Sequence, residues 1–288
     1  MRVALFGVTG MLGATLYKHL SSDPALQVMG LMRGDPLASS IGELPSRANT
    51  FLIDDVVHLE NERLLEILSD FAPNVIVNCI GRRRQPKNSS ELIELIAANS
   101  LWPHRLAMVA GEIGARLIHF SSDAIFSGKC GNYSEGDLPD PVDSYGVSKL
   151  LGEPAEPHCL TVRTSIIGHA FQGSDQLVDW LLRQNDTIHG FENVIFSGLP
   201  TIEIASIIHD ILLPRTEMAG IWHVAAEPIS KFELLRLIVE RYGIDLEVVP
   251  STAGLASNRS LNASKFREVS GYEAPSWPAL IDRMFTSR

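Results

Sequence analysis

The chain has 288 residues, 45% of them hydrophobic and 20% charged, enough to bury a sizeable core as one large domain or two intimately joined ones. Its formal net charge of -10 argues against nucleic acid or an anionic membrane as main partner, "GRRRQPK" (81–87) being the one locally basic stretch. No run approaches the ~18 consecutive apolar residues of a membrane span.

In chain order, "RVALF" (2–6) predicts a buried strand, followed by a glycine turn and a helix over 11–20. "LQVMGLM" (26–32) and "TFLI" (50–53) predict the next two strands, and a helix over 61–71 leads into the strand "NVIVNCI" (74–80). The segment 90–111 reads as a long helix in which Pro103 is a kink or a break. "ARLIHFS" (115–121) is the fifth strand, and a loop rich in glycine and proline runs from it to about 143. A helix opening at Tyr145 and the strand "HCLTVRTSII" (158–167) complete the regular part. Strands alternating with helices predict an α/β fold with a doubly wound parallel sheet, covered on both faces.

After residue 167 the rhythm is less regular, with helical patterns at 174–184, 203–213, 231–242 and 276–286 and extended pieces such as "GIWHVA" (220–225). No linker separates independent units. Residues 1–167 are therefore expected to form the sheet-bearing unit, and 168–288 a smaller lobe with segments returning to the sheet. Cys79, Cys130 and Cys159 are widely spaced with no CxxC pair, which predicts neither a disulfide framework nor a zinc site. The apolar start "MRVALFGVTGMLG" holds glycines and no small-residue cleavage site, so a cytoplasmic location is expected.

"FGVTGMLG" places Gly7, Gly10 and Gly13 between the first strand and its helix. Residues without a Cβ let a pyrophosphate approach the backbone, and the helix start at Met11 and Leu12 offers free N–H groups and a positive dipole end. The spacing is G-x-x-G-x-x-G. The second strand ends "LMRGD", where a carboxylate would take the adenosine ribose and an arginine a 2′-phosphate. Arg33 holds that place, which favours NADP(H); Asp35 keeps NAD(H) as an alternative.

"DSYGVSKLLGE" (143–153) sets Tyr145 and Lys149 four residues apart at a helix start. Residues at i and i+4 share a helix face, so the ammonium is expected to sit beside the phenol and lower its pKa, making it a usable acid and base. A solvated helix face is the competing explanation for so short a motif.

The glycine turn, "HFSSDAIFSG" after the fifth strand and "YGVSK" some twenty residues later together resemble the extended short-chain dehydrogenase/reductase family. The similarity is greatest to its dTDP-4-dehydrorhamnose reductase branch, with Ser122, Asp123 and "IFSG" matching the branch's strand end and "YGVSKLLGE" its helix start. "NVIVNCIG", Asn99, "VRTSIIG", "FSGLPTIEIA" and "NRSLNASKF" extend the resemblance over nearly the whole chain. It implies a Rossmann-type sheet and NADPH-dependent reduction of a nucleotide-linked 4-keto-6-deoxy sugar in surface polysaccharide precursor synthesis. Ala124 after Asp123 is unlike the acidic pair of the 4,6-dehydratases, and Asp123 itself is unlike the small residue of the 4-epimerases.

The roles that follow from the resemblance are specific. Tyr145 would donate a proton to the ketone oxygen, Ser122 would hydrogen-bond that oxygen, and Lys149 would hold the nicotinamide ribose. Cys79, Ile80 and Gly81 would lie beside the cofactor, and Asp55 with Val56, or Asp54, would meet the adenine. Asn99 would steady the helix behind the cofactor site or be a purely structural residue. On the substrate side stand Asp123, Trp180 as a stacking or core residue, and Arg259 as a diphosphate or salt-bridge residue. Arg82, Arg83 and Arg84 contact a diphosphate or form a solvated loop, and His119 reads as a core histidine. No metal is required. "NCIGRRRQPK" and "IFSG" depart from the branch pattern, so the sugar stays open. The expected partner is the nucleotide-sugar substrate, with a homodimer left open. A UDP-linked acetamido-4-keto-6-deoxy sugar reductase and a non-catalytic NADP-binding regulatory subunit of the methionine adenosyltransferase kind are the alternatives.

Overall fold

A computed structural model describes residues 1–32, 49–52, 56–83, 85–170 and 176–288, with 32, 49–52 and 56 described by backbone alone. Strand β1 (Arg2–Phe6) runs through the glycine turn into helix α1 (Met11–Ser21) and back to β2 (Gln27–Met32). Strand β3 (Asn49–Leu52), helix α2 (Asn61–Phe71) and strand β4 (Val75–Asn78) follow. Helix α3 (Ser89–Ile96) passes through a π-helical turn, Ala97–Leu101, into α4 (Trp102–Glu112). Then come β5 (Arg116–Phe120), α5 (Ser144–Leu151) and β6 (Cys159–Arg163).

The remaining chain is built from shorter pieces: β7 (Ile166–Ile167), α6 (Leu177–Leu181), β8 (Ile188–Phe191), β9 (Val194–Phe196) and β10 (Leu199–Pro200). Helix α7 (Thr201–Ile207) continues into a second π-helical turn, Ile208–Leu212, ahead of β11 (Gly220–His223) and β12 (Ile229–Ser230). Helix α8 (Lys231–Tyr242), strands β13 (Val248–Ser251) and β14 (Ser257–Asn258), and helices α9 (Ser264–Ser270) and α10 (Trp277–Thr286) end it.

The main sheet has seven strands in the order β11-β6-β5-β4-β1-β2-β3, all paired in parallel. Strands buried on both faces need continuous apolar runs, and β4 and β5 are buried at every position. One face is covered by α1 with α7, α8 and α10, where Leu16, Leu20, Ile204, Ile238 and Leu280 interlock. The other is covered by α2 and α4 through Leu64, Leu68, Trp102 and Leu106. Each such side chain contributes about 1.5–3 kcal/mol on burial, so both layers are held firmly to the strands. Because α7 packs on α1 and β11 extends the sheet beside β6, the C-terminal segments are built into the same core.

Two expected elements come out divided. The helical stretch 90–111 is interrupted by the π turn, which lies ahead of Pro103; the proline itself sits in the first turn of α4, where a missing N–H is tolerated. The expected strand 158–167 splits at Thr164 and Ser165, since β7 leaves the main sheet to pair with β10.

Candidate active site

The strand order reverses between β1 and β4, so the helices that follow them leave toward opposite faces and open a crevice at the strands' C-terminal ends. A cleft of about 540 Å³ lies there. Its walls are the glycine turn and the ends of β4 and β5 on one side, and Leu177, Phe196, Lys231 and Arg259 on the other.

The glycine turn is shaped by backbone contacts. Gly7 has φ +86°, a conformation that L side chains rarely adopt, and a Cβ there would come within 3.0 Å of the Cys79–Ile80 peptide. A Cβ on Gly13 would overlap the Gly7 carbonyl oxygen and lie 2.7 Å from its carbon. The N-cap of α1 is Gly10, which provides no side-chain cap, so the first-turn N–H groups stay available at the positive end of the helix dipole. Gly10, Met11 and Leu12 line the cleft, as do Cys79, Ile80 and Gly81; Gly7 and Gly13 lie behind them as the frame of the turn. A cradle this close to the backbone, open at a helix N-terminus, fits the pyrophosphate of a dinucleotide. Arg33, Asp35, Asp54, Asp55 and Arg84 lie outside the described residues, and Val56 opens a short 3-10 turn, Val56–His58.

Across the cleft floor, β5 is followed directly by Ser121 and Ser122. The Ser122 hydroxyl caps the 3-10 turn Asp123–Ile125, accepting from the Ala124 N–H at 3.1 Å and donating to Asp123 Oδ1 at 3.2 Å. Asp143 caps α5 by accepting from the Gly146 N–H at 2.7 Å, which starts the helix one residue before Tyr145. Gly146 lets this helix press on the turn: a Cβ would overlap the Ala124 carbonyl oxygen and lie 2.9 Å from Pro141 Cβ. Tyr145 is thereby brought near Ser122, and both line the cleft. One turn on, Lys149 is buried and its Nζ donates to the Phe120 carbonyl at 2.6 Å.

The charge states differ from the sequence expectation. Burial raises the Tyr145 phenol, and the nearby Ser122 hydroxyl offsets this only in part. Lys149 is not what tunes it: burial lowers the lysine to about 8, with the Glu153 carboxylate opposing the fall. The ammonium is anchored at the Phe120 carbonyl, and loss of phenolate hydration dominates.

Asn99 lies behind the cleft. From the π turn its side chain accepts from the Arg82 N–H at 2.7 Å and donates to the Arg82 carbonyl at 2.8 Å and to Ser148 Oγ at 2.9 Å. It therefore ties the loop after β4 directly to α5, with no water required, and it does not line the cleft. Trp180 is 39% exposed on α6 and lies outside the lining, which includes Gln176 and Leu177 from the same segment. Asp123 and Arg259 do line the cleft; Arg259 pairs loosely with Asp143 at 3.9 Å, and its buried Nε has no hydrogen-bond partner among the described residues. Asp123 is raised by burial, with Arg259 opposing most strongly. His119 is fully buried with Nδ1 at 3.0 Å from Asn78 Nδ2, and burial holds it neutral, as expected of a core histidine.

Lys231 is a cleft residue that the sequence did not single out. It is the first residue of α8, its Nζ lies 4.3 Å from the centroid of the Phe196 ring, and burial lowers it to about 8 with Asp123 opposing. With it, five basic residues and one acid, Asp123, line the cleft among the described residues, in a chain whose net charge is -10. Such an imbalance concentrates positive potential on an anionic ligand. No helix among the described residues is long and apolar enough to cross a membrane.

The family described as RmlD substrate binding domain matches residues 1–287. Methionine adenosyltransferase 2 subunit beta of Rattus norvegicus is 35% identical over 161 residues, 54% of this chain and 42% of that protein, so the chain spans less than half the length of the curated relatives it first matches. Among solved structures, a hypothetical dTDP-4-dehydrorhamnose reductase from Sulfolobus tokodaii superposes with a TM-score of 0.78 at 25% identity, covering 96% of this chain and 98% of that one. A dTDP-4-dehydrorhamnose reductase from Bacillus anthracis in complex with NADP does so with a TM-score of 0.76 at 20% identity, covering 100% and 99%.

Proposed function

We propose that this chain, which belongs to the RmlD substrate binding domain family, is an NADPH-dependent reductase of a nucleotide-linked 4-keto-6-deoxy sugar, serving surface polysaccharide precursor synthesis. The observation that carries this reading is the meeting of Ser122 and Tyr145, with Lys149 behind them, in a cleft whose other end is the glycine cradle. The relative solved with NADP supports the choice of cofactor, and Arg33 supports it from the sequence. The described residues that would hold the cofactor are Gly10, Met11, Leu12, Cys79, Ile80, Gly81 and Lys149. When bound, the reduced nicotinamide supplies the hydride.

The chain's own groups do the rest. The raised phenol of Tyr145 is protonated at neutral pH, as a donor to a ketone oxygen must be. Ser122 hydrogen-bonds the same oxygen and steadies charge that develops there. The Lys149 ammonium hydrogen-bonds the nicotinamide ribose. Lys231 and Arg259 place positive charge beside the substrate's diphosphate, and Asp123 accepts from a sugar hydroxyl.

A second reading has one observation in its favour: the 35% identity to methionine adenosyltransferase 2 subunit beta suggests a non-catalytic regulatory subunit that binds the same cofactor. Following NADPH absorbance while purified protein is offered dTDP- and UDP-linked 4-keto sugars separates the two. The reductase reading expects turnover of at least one of them; NADPH binding with no turnover of any supports the regulatory reading.

A further inference from the structure

The helix bearing Tyr145 and Lys149 carries a third chemical group one turn further on. Glu153 follows the C-terminus of α5, and its side chain is 6% exposed. A buried carboxylate needs full partnership, and this one has it. Arg163, on β6 and 3% exposed, grips it through two bonds, Nε to Oε1 at 2.9 Å and Nη2 to Oε2 at 2.7 Å. The Ser121 hydroxyl donates to Oε1 at 2.6 Å.

The partners of Lys149 and Glu153 are consecutive. Lys149 holds the Phe120 carbonyl and Glu153 holds the Ser121 side chain, so the helix is fastened to the end of β5 at two neighbouring residues, directly before Ser122. Gly152 permits this fit, since a Cβ there would overlap the Asn99 carbonyl oxygen and lie 2.9 Å from its carbon. From the other side, Arg163 Nη1 lies 3.4 Å from His223 Nε2 on β11, whose Nδ1 meets the Tyr133 carbonyl at 2.9 Å and whose backbone N–H donates to Glu135 at 2.9 Å.

We infer that Glu153, held by Arg163, is a positioning residue that registers α5 on the end of β5 and supplies the buried counter-charge of Lys149. This inference rests on the proposed reading only for the purpose of the arrangement; the arrangement itself is testable without cofactor or substrate. The other titratable groups facing the pair are Cys79 just after β4, His119 from β5, Tyr145 on α5, His223 from β11 and, beyond it, Glu135. Burial holds the thiol and the phenol protonated and both imidazoles neutral near pH 7. The buried charges at the centre are therefore Lys149, Arg163 and Glu153, with the half-buried Glu135 beyond His223, and removing the Glu153 carboxylate leaves Lys149 and Arg163 without their buried anion.

The test compares Glu153→Gln with wild type, each paired with its Lys149→Met counterpart. The difference in urea midpoint within each pair, followed from pH 6 to 11, reads the titration of Lys149 alone. The wild-type transition is expected near 8, and Glu153→Gln is expected to move it about one unit lower, because a neutral amide no longer favours the ammonium. If Glu153→Gln melts too readily, Arg163→Gln removes the cation and keeps the carboxylate, and the Lys149 transition is then expected to rise instead of fall; no rise overturns the inference. An unchanged Lys149 transition in a folded variant overturns the inference and leaves Glu153 as a structural ion-pair partner. The alkaline limb of NADPH-dependent turnover should move by the same amount. Absence of turnover in wild type would count against the reductase reading while leaving the cofactor-free result standing.

Discussion

Gly13→Ala separates two effects that pull in opposite directions. Inside a helix, alanine is favoured over glycine by about 1 kcal/mol, so propensity alone predicts a more stable protein. At this position in α1 the new methyl would lie 2.7 Å from the Gly7 carbonyl carbon and 3.1 Å from Val8 Cα, and would overlap the Gly7 oxygen. Carbon contacts are comfortable at about 3.5–4.0 Å, so the turn and the helix must separate by close to ~1 Å. Both obstacles are backbone, and α1 is packed against α7, so no side-chain rotation relieves the overlap. Overpacking of this kind costs about 1–3 kcal/mol, which outweighs the propensity gain. The separation also widens the cradle formed by Gly10, Met11 and Leu12, so NADPH affinity should fall at least about tenfold, the equivalent of ~1.4 kcal/mol. Gly10→Ala is the control for stability alone, because its Cβ would meet the same oxygen at 3.3 Å in an ordinary extended conformation while lining the cofactor cradle. Urea denaturation and fluorescence titration with NADPH measure both quantities. A Gly13→Ala protein of wild-type stability that binds NADPH within twofold of wild type would refute the steric argument.

Lys231→Met removes a cation from the substrate side of the cleft while keeping the stem that packs toward Phe196. A charged hydrogen bond is worth about 1.5–3 kcal/mol, so KM for the nucleotide sugar should rise about 10- to 100-fold with NADPH affinity unchanged; a shift in NADPH affinity instead would move Lys231 to the cofactor side. Since wild-type Lys231 loses its proton near pH 8, KM should also rise above that pH in wild type and stay flat in the variant. Arg33→Ala should erode a preference for NADPH over NADH, and equal wild-type affinities for the two cofactors would remove the basis for NADP specificity.

What was legible in the sequence follows the physics of each element. Strand β1 and helices α2 and α8 fall where the apolar patterns place them, because long runs of one period leave little choice of boundary. The glycine turn was readable as a short local motif at a strand end, whereas Ser122 and Tyr145 lie in separate segments and were joined only through the family resemblance. The small sheets β8 with β13 and β9 with β12 and β14 were not, since strands of two to four residues carry no periodicity and their pairing joins distant segments. Lys231 was invisible for a related reason: in the sequence it is a polar residue at a helix start, and only the fold sets it over Phe196 and near Asp123. The charge of Tyr145 was misjudged because spacing shows that Lys149 is on the same face, whereas burial, which decides the shift, is a property of the assembled cleft. Trp180 stands at helical spacing on a segment whose helix proved only five residues long.

The most direct measurement is NADPH oxidation with a nucleotide-linked 4-keto-6-deoxy sugar, for wild type and Tyr145→Phe side by side. Removing the hydroxyl keeps the ring, so the variant should fold and bind NADPH as wild type does. A general acid contributes about 10²–10⁴-fold to rate, and turnover should fall by that order. Turnover of the sugar that survives Tyr145→Phe undiminished would contradict the account and leave the tyrosine and lysine as one face of a helix.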